Sequence, residues 1–251
     1  MYHQFKQLAD LDITREAMEV GPTTHYMMGG IQVDGDTQMS AVPGLFAAGE
    51  CASGLHGANR LGGNSLSDLL VFGKRAGDYA ARFAREHDPA RLDPARADEA
   101  ARAALAPFER ATSTNGTGPY QVQQELQTLM QDLVGIVRRE PEMKRALDNI
   151  ERLAIQARTV GVTGNREYNP GWHTALDLQN MLMVSEAITL SAIGRKESRG
   201  AHFREDYPQK SEKNGKFNTV IKKDREGNMS VSQEPLPQMP AELQKLIDDY
   251  K

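Results

Sequence analysis

Residues 54–66, GLHGANRLGGNSL, set four glycines (Gly54, Gly57, Gly62, Gly63) around one arginine, Arg60, and then open into an apolar run of helical period. Glycine lacks a Cβ and tolerates positive φ, so such a loop can bring bare backbone close to a ligand. Asn64 and Ser65 are residue types that cap a helix, which places a helix N-terminus at the end of the loop. The unpaired amides of a first turn, backed by the positive end of the helix dipole, favour a group that carries or develops negative charge. Arg60 adds a permanently charged planar fork that matches a carboxylate or a phosphate.

Outward from this loop, Leu66, Leu69, Leu70, Phe72, Ala76, Tyr79, Ala80 and Phe83 recur at helical spacing and predict a helix to about Arg85. Upstream, residues 43–50, PGLFAAGE, read as a buried strand that ends on an acid, a position from which a carboxylate can grip a cofactor hydroxyl. Before it, Gly21 to Ile31 reads as extended, and Asp34-Gly35 as a hairpin turn. His25 lies in that extended segment. A lone histidine is structural more often than catalytic, and its spacing alone does not decide between the two.

GLHGANRLGGNSLSDLLVFG, with HYMMGGI and PGLFAAGE before it, resembles the C-terminal part of the flavoprotein subunit of succinate dehydrogenase and fumarate reductase. The opening segment 1–21 and the string ESRGAH at residues 197–202 fall in that family's order too. The resemblance is most specific from His25 to Phe72 and weakest after about Pro208. It implies an α/β fold with added α structure: the C-terminal part of an FAD-binding, glutathione-reductase-like domain, an antiparallel helical bundle, and a short β and irregular tail. The implied division is residues 1–21 as the end of a capping domain, 22–86 in the FAD-binding domain, 95–194 as the bundle and 195–251 as an extension. By the same resemblance His25 and Arg60 bind the carboxylates of succinate or fumarate and serve catalysis. Glu50, Ser65 and Leu66 would contact FAD, Glu50 through its carboxylate or else as a loop-stabilising acid, the other two mainly through backbone amides. The implied partners are an iron–sulfur subunit and, indirectly, membrane anchor subunits that hold the protein at the inner face of the cell membrane.

The rest of the chain supplies scaffold. Tyr2, Phe5 and Leu8 mark a short opening helix. Helical patterns run from about Ala95 to Ala111, Pro119 to Arg139, Pro141 to Val160 and His173 to Ile193, with Pro119 and Pro141 at first-turn positions and Gly161 and Gly194 at expected C-terminal caps. Phe217–Ile221 and Met229–Val231 flank Glu226-Gly227-Asn228 as a hairpin, and Pro240–Tyr250 reads as a terminal helix. The 251 residues are 39% hydrophobic and 25% charged, ordinary for a globular protein. A net charge of −4 and a pI near 5.9 argue against a nucleic-acid surface. One cysteine, Cys51, cannot build an iron–sulfur cluster or a cysteine zinc site, and reads as a small buried packing residue. No apolar stretch is long enough to span a membrane, and the N-terminus carries no signal-peptide pattern.

No G-x-G-x-x-G follows a strand. The nearest string, Asn115-Gly116-Thr117-Gly118-Pro119, lacks the third glycine, so the pyrophosphate of FAD has no cradle here. The chain alone is therefore expected neither to hold FAD tightly nor to turn over. Two alternatives stay open: an L-aspartate-oxidase-like flavoenzyme, against which Leu61-Gly62-Gly63 speaks, and a non-catalytic helical fragment that docks an iron–sulfur subunit.

Overall fold

A computed structural model describes residues 1–21, 24–89, 91–110 and 118–250. Ala111 and the Asn115–Thr117 part of the glycine string lie outside them.

Helix α1, Tyr2–Ala9, is closed by Asp10, whose amide donates to the Phe5 carbonyl from the left-handed region at φ 49°. The segment after it forms a hairpin at the expected Asp34-Gly35 turn. There Asp34 Oδ1 accepts from the amides of Asp36 (3.2 Å) and Thr37 (2.9 Å), and Val33 bridges Ser40. The strand expected over residues 43–50 is reduced to one bridge, Phe46 to Met39, followed by a 3-10 turn at Gly49–Cys51. The Ser40 amide donates to the Leu45 carbonyl at 2.8 Å and the Ala47 amide to the Gln38 carbonyl at 3.0 Å, and no further bridge of this segment follows among the described residues. Ala47 and Gly49 are nevertheless buried, in keeping with their small side chains. Cys51 corrects the sequence reading: it is exposed, with its thiol 3.3 Å from the Ala48 carbonyl. The 3-10 turn tips its side chain outward while its backbone pairs with Ile31, whose amide donates to the Cys51 carbonyl at 2.8 Å. Gly30 permits that approach, since a Cβ there would stand 2.6 Å from the Cys51 carbonyl carbon.

Helix α2, Asn64–Glu86, follows the arginine loop. Its inward stripe is Ser65, Asp68, Phe72, Ala76, Ala80 and Phe83, while Leu66 and Leu70 look outward at 67% and 76% exposure. The apolar positions of this helix therefore cover more than one face, and the inward one includes an acid.

The core sits among α4 (Pro119–Val134), α5 (Glu140–Ala157) and α6 (Pro170–Gly194), with α3 (Pro94–Arg110) joined at the side. Val122, Leu126, Ile150, Leu153, Leu178 and Leu182 form one cluster, and Val134, Met143, Ala146 and Ala192 a second. Helix α6 is apolar nearly all round because α4, α5 and a C-terminal hairpin all pack on it. It starts at Pro170 rather than His173, because Asn169 caps it through a 3.0 Å bond from the Trp172 amide. Trp172 also ties α3 in, donating from Nε1 to the Ala104 carbonyl at 2.7 Å.

Three helix ends differ from expectation, one being α6, which includes Gly194 and is capped by Arg195. Helix α4 stops at Val134, and after Gly135 the chain extends as β1, Val137–Arg138, which pairs in parallel with β2, Phe203–Arg204. Helix α5 stops at Ala157 with Arg158 as its cap, before Gly161, because Thr159 turns back to the Gln156 carbonyl at 3.0 Å. The C-terminal hairpin, β3 (Phe217–Lys223) and β4 (Met229–Pro235), and helix α7 (Ala241–Asp249) form as expected. Among the described residues no helix is long and apolar enough to cross a membrane.

Candidate active site

The arginine loop is shaped by Gly54, Gly57 and Gly62, at φ 110°, 55° and 45°. Gly63, not Asn64 or Ser65, is the N-cap of α2, and no side chain caps the first turn. Ser65 is occupied otherwise: its hydroxyl accepts from Arg60 Nη1 at 3.0 Å, and the same Nη1 donates to the Gly62 carbonyl. Both hydrogen bonds of the guanidinium thus use one nitrogen. Nε is buried and has no hydrogen-bond partner among the described residues. The guanidinium also lies 4.7 Å from the centre of the Tyr26 ring, within cation–π range.

Below the arginine is a cluster that sequence reading did not single out. His56 Nε2 is 3.2 Å from Asp68 Oδ2, with the two side chains only 8% and 6% exposed. The Tyr26 hydroxyl stands 3.4 Å from both Asp68 Oδ2 and His56 Nε2. Burial, with the Asp68 and Glu50 carboxylates nearby, holds the Tyr26 hydroxyl above its ordinary pKa range. The available signal was the placement of Ser65 and Asp68 three residues apart, in line with Phe72 and Ala76, which puts an acid on the inward stripe.

The structure brings Arg60 and Ser65 together directly. His25 is exposed, and among the described residues its side chain has no hydrogen bond or ring contact that would place it beside Arg60. Glu50 holds that same segment: its Oε1 accepts from the Met27 amide at 2.9 Å. This is the loop-stabilising role, and it engages one carboxylate oxygen. The Leu66 amide donates to the Gly63 carbonyl at 3.1 Å, whereas the Ser65 amide makes no backbone bond among the described residues. Gly62 and Gly63 face open space.

Behind the loop stands the 197–202 turn. The Ala201 amide donates to the Ala58 carbonyl at 3.2 Å, and Gly200 sits so close that a Cβ would be 2.6 Å from the Ala58 carbonyl carbon. The turn is rigid. Glu197, wholly buried, accepts from Arg195 (3.0 Å), Arg199 (3.0 Å) and the Ser211 amide (2.8 Å). Burial would raise its carboxyl, but the hydrogen bonds from Arg199 and Ser211 and the charges of Arg195 and Arg199 outweigh that and hold it low. Arg204, also wholly buried, forks onto Asp206 through Nε and Nη2, each 2.7 Å from a carboxylate oxygen. His202 accepts at Nδ1 from Arg138 Nη1 at 2.9 Å, which leaves Nε2 to donate to the Arg195 carbonyl at 3.0 Å. Burial and the surrounding arginines push its pKa down, so it is the neutral tautomer that ties β1 to this turn.

Comparison with known proteins supplies the family. Residues 123–246 match the family described as fumarate reductase flavoprotein C-term, and residues 1–66 match the FAD binding domain family. The fumarate reductase flavoprotein subunit of Mycobacterium tuberculosis is 36% identical over 232 residues, 90% of this chain and 40% of that protein. The succinate dehydrogenase flavoprotein subunit of Coxiella burnetii is 37% identical over 230 residues, 87% of this chain and 39% of that protein. Among solved structures, Mycobacterium smegmatis Sdh1 in complex with UQ1 superposes with a TM-score of 0.90 at 47% identity, covering 99% of this chain and 42% of that one. The chain therefore spans about two fifths of the length of these relatives. With its arginine loop, its helix N-terminus and these matches, the chain belongs to the FAD-dependent family of succinate dehydrogenase and fumarate reductase flavoprotein subunits.

Proposed function

We propose that this chain carries the dicarboxylate-binding, flavin-facing part of an enzyme that interconverts succinate and fumarate. The observation that supports this most directly is Arg60: it is pinned through Nη1 and has a buried Nε without a partner among the described residues. A guanidinium fixed along one edge presents a ready plane to a carboxylate. Arg60 holds one carboxylate of the substrate and His25 the other, which neutralises charge and fixes the orientation of the carbons that react.

The residues present fit FAD. When bound, FAD accepts or returns the hydride of the succinate–fumarate couple. The unpaired Ser65 amide and the N-terminus of α2 favour negative charge on the cofactor. Glu50, with one oxygen on Met27, keeps the other for a cofactor hydroxyl. Leu66 contributes chiefly its exposed side chain, since its amide is engaged with Gly63. The proton lost from the adjacent carbon goes to a base outside the residues assigned here.

In this reading residues 22–86 belong to the FAD-binding domain, 95–194 form the helical domain, 1–21 end a capping domain and 195–251 extend the chain. Electrons pass to a separate iron–sulfur subunit, and the one cysteine of this chain cannot by itself build a cluster. Anchor subunits hold the assembly at the inner face of the cell membrane. By itself the chain binds FAD weakly, having no glycine-rich turn for the pyrophosphate.

Arg60→Lys in the flavoprotein holoenzyme tests the assignment. A point charge cannot reproduce the planar fork, so flavin absorbance should be retained while succinate oxidation falls by about 100-fold. Near-normal turnover in that variant would remove Arg60 from the reaction.

A further inference from the structure

We propose that Asp68, acting through Tyr26 and steadied by His56, is the positioning residue that fixes the plane of the Arg60 guanidinium; the inference rests on the dicarboxylate-binding reading above.

Arg60 sits in a loop whose glycines leave its backbone permissive, so the arginine must be held by side-chain contacts. Two residues of one helical stripe supply them. Ser65 bonds Nη1 directly, and Asp68, one turn further along α2, reaches the guanidinium through the phenol of Tyr26. The local bonds to Gly62 and Ser65 restrain one nitrogen, about which the fork could still swing. The face of the Tyr26 ring, 4.7 Å from the guanidinium carbon, limits that freedom through cation–π attraction.

Asp68 stands apart from the rest of its helix. It is the one buried residue of α2 and makes no ion pair with lysine or arginine among the described residues. A desolvated carboxylate is costly unless its hydrogen bonds are satisfied. An ionised carboxylate only accepts, so the 3.2 Å approach of His56 Nε2 places a proton on that nitrogen, and the Tyr26 hydroxyl directs its own proton to the same Oδ2. The pair therefore sets where the hydroxyl points and hence where the ring stands. Three separate segments, residues 24–31, the arginine loop and α2, meet at this carboxylate.

The test uses the flavoprotein holoenzyme with Tyr26→Phe, Tyr26→Leu and Asp68→Asn, and the non-reactive dicarboxylate malonate as probe. FAD content, malonate Kd read from the flavin spectrum, and kcat and KM for succinate are measured on each. Tyr26→Leu removes the ring and should weaken malonate about tenfold, with KM raised and FAD content kept. Asp68→Asn should weaken malonate and raise KM in the same direction by a smaller factor, again with FAD kept. Tyr26→Phe keeps the ring but loses its bond to Asp68, so it should recover part of what Tyr26→Leu loses and match Asp68→Asn. Wild-type malonate Kd and KM in both Tyr26→Leu and Asp68→Asn would overturn the positioning role alone. Loss of malonate binding in step with loss of FAD, without rescue by Tyr26→Phe, would overturn it in favour of simple packing. A wild-type holoenzyme that does not bind malonate would instead overturn the dicarboxylate reading, and this inference with it.

Discussion

Gly200→Ala should damage catalysis from a residue that touches no substrate. The added methyl would lie 2.6 Å from the carbonyl carbon of Ala58 and 2.9 Å from its Cβ, against an ordinary carbon–carbon contact of roughly 3.5–4 Å. The arginine loop, two residues before Arg60, must then retreat by roughly 1 Å. The backbone adds its own penalty, because φ at Gly200 is +59° and a side chain in that region costs about 1–2 kcal/mol. Gly227→Ala separates the two effects: its φ is +91°, with nothing within 4 Å of the added Cβ, so it carries strain without collision. In the holoenzyme, kcat/KM for succinate should fall by about 100-fold in Gly200→Ala, as expected when a catalytic group moves by roughly 1 Å. Gly227→Ala should lose stability alone. Equal turnover in the two variants would refute the argument that the 197–202 turn sets the position of Arg60.

Other substitutions probe the scaffold. The Arg204 guanidinium holds the Asp206 carboxyl at about 2, down from 3.8, so Asp206 stabilises the fold above its unfolded value and loses that contribution as pH falls from near 4 to about 2. The stabilisation is about 2 kcal/mol, and Asp206→Asn should flatten this part of the acid-unfolding profile; an unchanged profile would contradict the linkage. Leu178→Ala, at the fully buried centre of the α4–α5–α6 core, should cost about 2–5 kcal/mol in urea unfolding. A smaller loss would show that α6 can collapse into the space.

Much of this fold is legible along the chain because its helices carry local signals. Pro119 and Pro141 start α4 and α5, and the periodic leucines and valines mark the faces that pack. The β1–β2 pair was not legible, since Val137–Arg138 and Phe203–Arg204 are too short to show alternation and their pairing is non-local. The buried strand expected before Glu50 shows the same limit in reverse: small apolar residues can be buried without a ladder. At the site, Arg60 stood out because glycines surround it. Tyr26, His56 and Asp68 did not, because each is ordinary alone and only the fold brings three segments to one carboxylate.

The buried Glu197, clasped by Arg195 and Arg199, has a consequence for how this segment can diverge. Neutralising Glu197 leaves Arg195 and Arg199 side by side without their acid, and neutralising either arginine leaves the wholly buried Glu197 with one cationic partner in place of two. Single replacements along 195–199 should therefore be poorly tolerated, and exchanges of an acid with its arginines should succeed only together. Drift here would be epistatic, advancing by coupled steps and leaving the string behind the arginine loop among the slowest of the chain to change.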